Sequence, residues 1–208
     1  MLMLCRDLPA ARVVREEILA QVPGAAIHAI YCDLASFASV RACARSVRGA
    51  VDQISMLINN AGAVSTGHRM SIDGFELTFA TNHLGPFLLT SLLTDRMTIT
   101  GRIINVASTD AKRYRDASVS IAYAISKHAL LALSHAAKFA GWDEGVRVTA
   151  LCPGAVDTEL VASVAGVTPS ANRLKPKTIA DIVALLLSLP NAASISELVV
   201  NTRLESTL

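Results

Sequence analysis

Tyr123 and Lys127 stand four residues apart in a stretch whose apolar residues recur every three and four positions, so on a helix they share a face. A free phenol titrates near pH ~10 and is a poor base at neutral pH. A neighbouring ammonium stabilises the phenolate and draws that value down. Ser108, upstream at the end of an apolar run, adds a hydroxyl that can hold a substrate oxygen. A tuned proton donor, its tuner and an orienting hydroxyl are what redox chemistry at a carbonyl or alcohol asks of a protein. A Tyr-x-x-x-Lys pair also recurs on ordinary exposed helices, and a Ser after a strand often only starts a turn. The elements around these residues therefore decide the reading.

Those elements alternate. Residues 1–5 read as a strand and 10–21 as a helix stopped by Pro23-Gly24. Residues 27–32 read as a strand, and Ser36 caps a helix running to about residue 51. Residues 54–58 form an apolar run suited to a parallel sheet. A long helical stretch is expected over 73–97, bent near Pro86. Strands over 103–107 and 146–151, a helix over 119–140, a helix over 178–189 and a last strand over 198–201 follow. Alternation of this kind predicts an α/β, open, doubly wound parallel sheet in one domain. Ligands then bind beyond the carboxyl ends of the strands.

The motifs fall at those ends. Asn59-Asn60-Ala61-Gly62 follows the third strand, and Asn82 lies 26 residues before Ser108 and Ser108 15 before Tyr123. Cys152-Pro153-Gly154 closes a later strand, with Val156-Asp157-Thr158 after it. In this order the set resembles the short-chain dehydrogenase/reductase family, from Met1 to about Asn201. The resemblance implies a Rossmann-like, three-layer αβα fold and a nicotinamide cofactor. Tyr123 would be the general acid/base, and Lys127 would lower its pKa and hold the nicotinamide ribose. Ser108 would bind the substrate oxygen, and Asn82 would kink its helix and hold a water of the proton relay. Asn60, Ala61 and Gly62 would pass the adenosine-side ribose, where bare backbone at Gly62 permits close approach. Asp33 and Leu34 would meet the adenine. Pro153, Gly154, Val156 and Thr158 would border the nicotinamide. Arg6, at the end of the first strand, stands where an acidic residue would favour NAD; an arginine there suits the 2′-phosphate of NADP. The resemblance also implies a homodimer or homotetramer.

One part of the pattern is missing. No G-x-x-x-G-x-G or G-x-G-x-x-G occurs in the chain, although the family uses such a turn to cradle the pyrophosphate. The chain reads as shortened by about one strand-turn-helix unit, roughly 30 residues, at its N-terminus. The strands at 1–5 and 54–58 would then flank a gap, closed only if they pair directly. Two readings stay open: an oxidoreductase acting on a carbonyl or secondary alcohol, and a non-catalytic remnant serving as an interaction or oligomerising protein.

Composition excludes other classes. With 52% hydrophobic and 17% charged residues in 208, the chain is folded rather than disordered. A net charge of +2 with no basic run argues against nucleic acid. Cys5, Cys32, Cys43 and Cys152 are scattered without metal spacing. His83 and His128 read as structural or surface histidines, Asp110 and Asp116 as solvated loop charges, and residues 157–175 as a lid with no legible substrate preference. No apolar run reaches the length of a membrane span, and a soluble cytoplasmic protein is expected.

Overall fold

The computed structural model describes residues 1–65, 67–113, 120–162 and 168–202. The order is β1 (Leu2–Cys5), α1 (Leu8–Gln21), β2 (His28–Tyr31), α2 (Phe37–Ala50) and β3 (Ile54–Asn59), then α3 (Leu77–Phe79), a π-helical turn (Ala80–Leu84) and α4 (Gly85–Leu93). β4 (Met97–Val106), α5 (Ile121–Gly141), β5 (Arg147–Pro153), α6 (Glu159–Ala162), α7 (Pro176–Ser188) and β6 (Glu197–Val200) follow. Local chemistry sets the starts. The Asp7 carboxylate accepts from the Ala10 N–H at 2.8 Å, and Pro9 sits in the first turn of α1, where a missing N–H has no helical partner to lose. Ser36 caps α2 as its type predicts.

Every ladder is parallel. Side chains alternate across β5: Val148, Ala150 and Cys152 pack towards α5, while Leu151 joins Ile104 and Leu186 of α7 on the other face. This is the doubly wound arrangement the alternation predicts, in the three layers the resemblance implies. It has one departure. The sheet is in two parts, β1-β2 and β3-β4-β5-β6, and β1 and β3 form no ladder with each other. Direct pairing does not close the gap. Instead α2 and α4 connect the parts, gathering Leu2 and Leu4 of β1 and Ile54 of β3 around Val40, Val47, Leu89 and Leu93. On β3, Leu57 and Asn59 turn into the buried layer, while Met56 and Ile58 face the other way and are 52% and 43% exposed.

The stretch 73–97 is not one helix. The Glu76 carboxylate accepts from the Thr78 and Phe79 N–H groups at 3.0 and 2.7 Å and starts α3. At the far end the helix gives way before Met97, which opens β4 paired with Ile54. Between them lies the π turn, where the Gly85 N–H bonds the Ala80 carbonyl five residues back. Pro86 offers no N–H to the Asn82 carbonyl four residues earlier, and a wider turn is one way a helix absorbs that loss. The bend expected at Pro86 is thus taken up just before it, at Asn82. The helix expected over 119–140 is α5; Val119 lies outside the described residues. Among the described residues, no helix is long and apolar enough to cross a membrane.

Candidate active site

Ser108 lies two residues beyond the end of β4, buried and in extended backbone, and its Oγ accepts from the Asp110 N–H at 3.1 Å. It thereby caps a single 3₁₀ turn, Thr109–Ala111. Asp110 is not a solvated charge: this turn folds it inward to 8% exposure. Asp116 lies outside the described residues. Across from the turn, α5 begins at Ser120, whose Oγ accepts from the Tyr123 N–H at 3.4 Å. Tyr123 occupies the first turn, half-buried, and Lys127 the next.

Lys127 is 4% exposed, and its Nζ lies 5.7 Å from the centre of the Tyr123 ring. The Nζ donates to the Val106 carbonyl at 2.9 Å, at the end of β4. An ammonium has three N–H groups, and this is its one hydrogen bond among the described residues. Burial draws Lys127 down to about 8, against a weaker upward pull from Cys152.

The loop after β3 closes the site. A Cβ added to Gly62 would stand 3.5 Å from Lys127 Nζ and 3.7 Å from Asn82 Oδ1. Asn82 ties three elements together. Its Oδ1 accepts from the Ala63 N–H at 2.7 Å, and its Nδ2 donates to the Ala63 carbonyl at 2.9 Å and to Ser126 Oγ at 3.1 Å. Ser126 in turn donates to the Tyr123 carbonyl at 2.7 Å. Both Nδ2 hydrogens of Asn82 are therefore spent on placing the β3 loop and α5.

The remaining expected residues lie at or after the carboxyl ends of β1, β2, β3 and β5. Arg6 is exposed in the bend after β1, and the adjacent Asp7 carboxylate is committed to capping α1. Asp33 accepts from the Ala35 N–H at 2.9 Å, in a turn through Leu34 and Ala35 that the Ser36 N–H closes on the Asp33 carbonyl at 3.1 Å. A Cβ on Gly85 would collide with the Leu34 carbonyl, so the two chains touch there. Asn60 and Ala61 are exposed after β3. Pro153 pairs with Val200, and the Gly154 N–H bonds the Val200 carbonyl at 2.8 Å. Val156 bridges to Leu174, and Thr158 is exposed with its Oγ1 3.4 Å from the Val156 carbonyl. Residues 163–167 of the expected lid lie outside the described residues.

Two features escaped the sequence. Asn59 Nδ2 donates to Thr90 Oγ1 at 3.0 Å and to Asn105 Oδ1 at 2.7 Å, and Asn105 Nδ2 donates to Ser134 Oγ at 2.9 Å. This buried chain links α4, β3, β4 and α5 beneath the site. Its signal was two asparagines inside apolar strands, where a buried amide demands partners. The second feature is Ser126, the link between Asn82 and Tyr123. His83 packs between Phe79 and Phe87, ring centres 5.1 and 6.3 Å away, as a structural residue. No group able to hold a metal occurs among the described residues.

Residues 2–166 match the family model of short chain dehydrogenases. The chain belongs to that family. It is 32% identical over 211 residues to human retinol dehydrogenase 13, covering 93% of this chain and 61% of that protein. It is 36% identical over 180 residues to the short-chain dehydrogenase TIC 32 A, chloroplastic, of Brassica napus, covering 74% of this chain and 55% of the relative. A metagenomic short-chain oxidoreductase solved in complex with NADP superposes with a TM-score of 0.77 at 28% identity, covering 98% of this chain and 86% of its own. The chain thus spans little more than half the length of these curated relatives.

Proposed function

We propose that this chain carries the reaction centre of an NADP-dependent oxidoreductase acting on a carbonyl or secondary alcohol. One observation carries the reading: a buried Lys127 ammonium beside Tyr123, with two of its N–H groups uncommitted among the described residues. A buried ammonium left with spare donors asks for a ligand rich in acceptor oxygens, and a nicotinamide ribose is such a ligand. The residues fit that end of the cofactor. In this reading Asp33, Leu34, Asn60 and Ala61, which follow β2 and β3, meet its adenosine end, and Arg6, exposed after β1, meets a 2′-phosphate. The glycine-rich cradle for the diphosphate has no counterpart in this sequence.

A bound nicotinamide dinucleotide supplies the hydride acceptor or donor. Ser108 orients the substrate oxygen. Tyr123 delivers the proton to that oxygen in reduction and removes it in oxidation. Lys127 stabilises the phenolate and resupplies the proton, while Asn82 holds the loop and helix that position the pair. The protein is read as cytoplasmic and as a homodimer or homotetramer. The apolar stripe Ile121, Ile125 and Phe139, exposed along α5, supports self-association.

The split sheet favours a second reading, a non-catalytic interaction protein. Fluorescence titration of the purified chain with NADPH and NADH, beside its far-UV spectrum, separates the two. Micromolar NADPH binding supports the enzyme reading, and Tyr123→Phe should then cost about 10² to 10⁴ in turnover while leaving binding in place. A folded chain that binds neither nucleotide sinks the enzyme reading for this chain.

A further inference from the structure

α2 contains no acidic residue; its charged positions are Arg41, Arg45 and Arg48. Spread along the sequence they form no basic run, but spacings of four and three put them on one face of the helix. Like charges four apart destabilise a helix, so their placement calls for a counter-charge. Arg48 has one: its guanidinium holds the Asp95 carboxylate in a two-pronged grip at 2.6 and 2.9 Å. Arg41 and Arg45 are exposed and make no ion pair or side-chain hydrogen bond among the described residues. The three arginines line a cleft of about 280 Å³ with Ala44 and Leu92. The cleft therefore has an apolar floor and two unpartnered guanidinium forks. A third fork already grips an oxyanion, so this wall accepts that geometry.

We propose that this cleft binds a phosphomonoester, free or as a lipid head group. A phosphomonoester carries about −1.5 to −2 at neutral pH, matching the two uncommitted charges. Its oxygens suit planar guanidinium forks. The cleft is open to solvent and smaller than the roughly 300–1,000 Å³ of drug-sized sites, which limits the proposed ligand to a phosphate with a small apolar body against Ala44 and Leu92. The site is built from α2 and α4, separate from Arg6 and from the Tyr123 cluster, and it does not depend on the proposed redox function.

The test is calorimetric titration of the whole chain with phenyl phosphate in phosphate-free, low-salt buffer, with phenol as control. Co-sedimentation with vesicles of phosphatidylcholine, alone or in equal parts with phosphatidic acid, forms the second arm. R41E/R45E should weaken binding about tenfold or more, with an unchanged far-UV spectrum, and R41K/R45K should fall between because it keeps charge and loses the fork. Phenyl phosphate binding without vesicle binding assigns a free phosphomonoester. Vesicle binding that requires phosphatidic acid and is lost in R41E/R45E assigns a head group. No phosphate-dependent binding in either arm, or binding that survives R41E/R45E, overturns the proposal.

Discussion

Lys127 sets the balance between stability and chemistry at the residue scale. Its folded value of about 8 lies below the ordinary lysine value, so between these two the unfolded chain holds more protons than the folded one. Stability must then rise as pH climbs through that window, and the full penalty applies below pH 8. Between pH 8 and about 10 the gain should be on the order of 2–3 kcal/mol. Urea unfolding of the parent and Lys127→Met across this range isolates it, since other groups titrate equally in both. Met should also stabilise the chain at neutral pH, because an apolar side chain replaces a buried charge. A pH dependence identical in the two proteins would show that Lys127 is not desolvated as described. Arg6 is tested by preference rather than stability. Arg6→Asp should weaken NADPH binding about tenfold to a hundredfold and leave NADH nearly unchanged. Equal loss of both nucleotides would remove Arg6 from the 2′-phosphate.

Elements hold these side chains in place through contacts that are close and hard to relax. Gly85 lies against the Leu34 carbonyl, where an added Cβ has no room. Gly85→Ala should therefore destabilise by about 1–3 kcal/mol, read as a lower midpoint in thermal unfolding. Its backbone is ordinary right-handed helix, so a loss would report packing and not conformation. Much of this framework was legible. Apolar β-branched runs such as Ile103-Ile104 marked central strands, and Ser36 marked a helix start by type alone. The interrupted helix was not legible, because apolar spacing continues through a π turn and the loss at Pro86 is absorbed at Asn82. Nor was the Asn59–Asn105 network, whose partners Thr90 and Ser134 arrive from helices 31 and 29 residues away. The proximity of Lys127 to Tyr123 was legible because a spacing of four on one helix is local, and so was the position of Ser108 after β4. The role of Asn82 as a three-way tie was not, since its partners meet only in the fold.

The molecule as a whole is built in two parts of unequal support. β3 to β6 form four ladder-bonded strands with α5 on one face and α7 on the other. Among the described residues β1 and β2 pair only with each other, and α1 buries only Ala11. An isolated two-stranded sheet is marginal without packing against a helix, so β1-β2 depends on the apolar layer it shares with α2 and α4. Native-state hydrogen exchange should find the amides of β1, β2 and α1 opening about tenfold or more often than those of β4 and β5. The proposed cofactor would reach from Arg6, after β1, to Lys127, beside β4, and so span the two parts. Binding adds stability by mass action, about 2.7 kcal/mol at a hundredfold excess over Kd. Saturating NADPH should therefore slow exchange in β1 and β2 more than in β4 and β5, because only the weaker part gains a partner it lacks. Equal slowing throughout would mean that the nucleotide binds without bridging the split. Slowing confined to β4 and β5 would mean that it rests on the Tyr123 cluster alone.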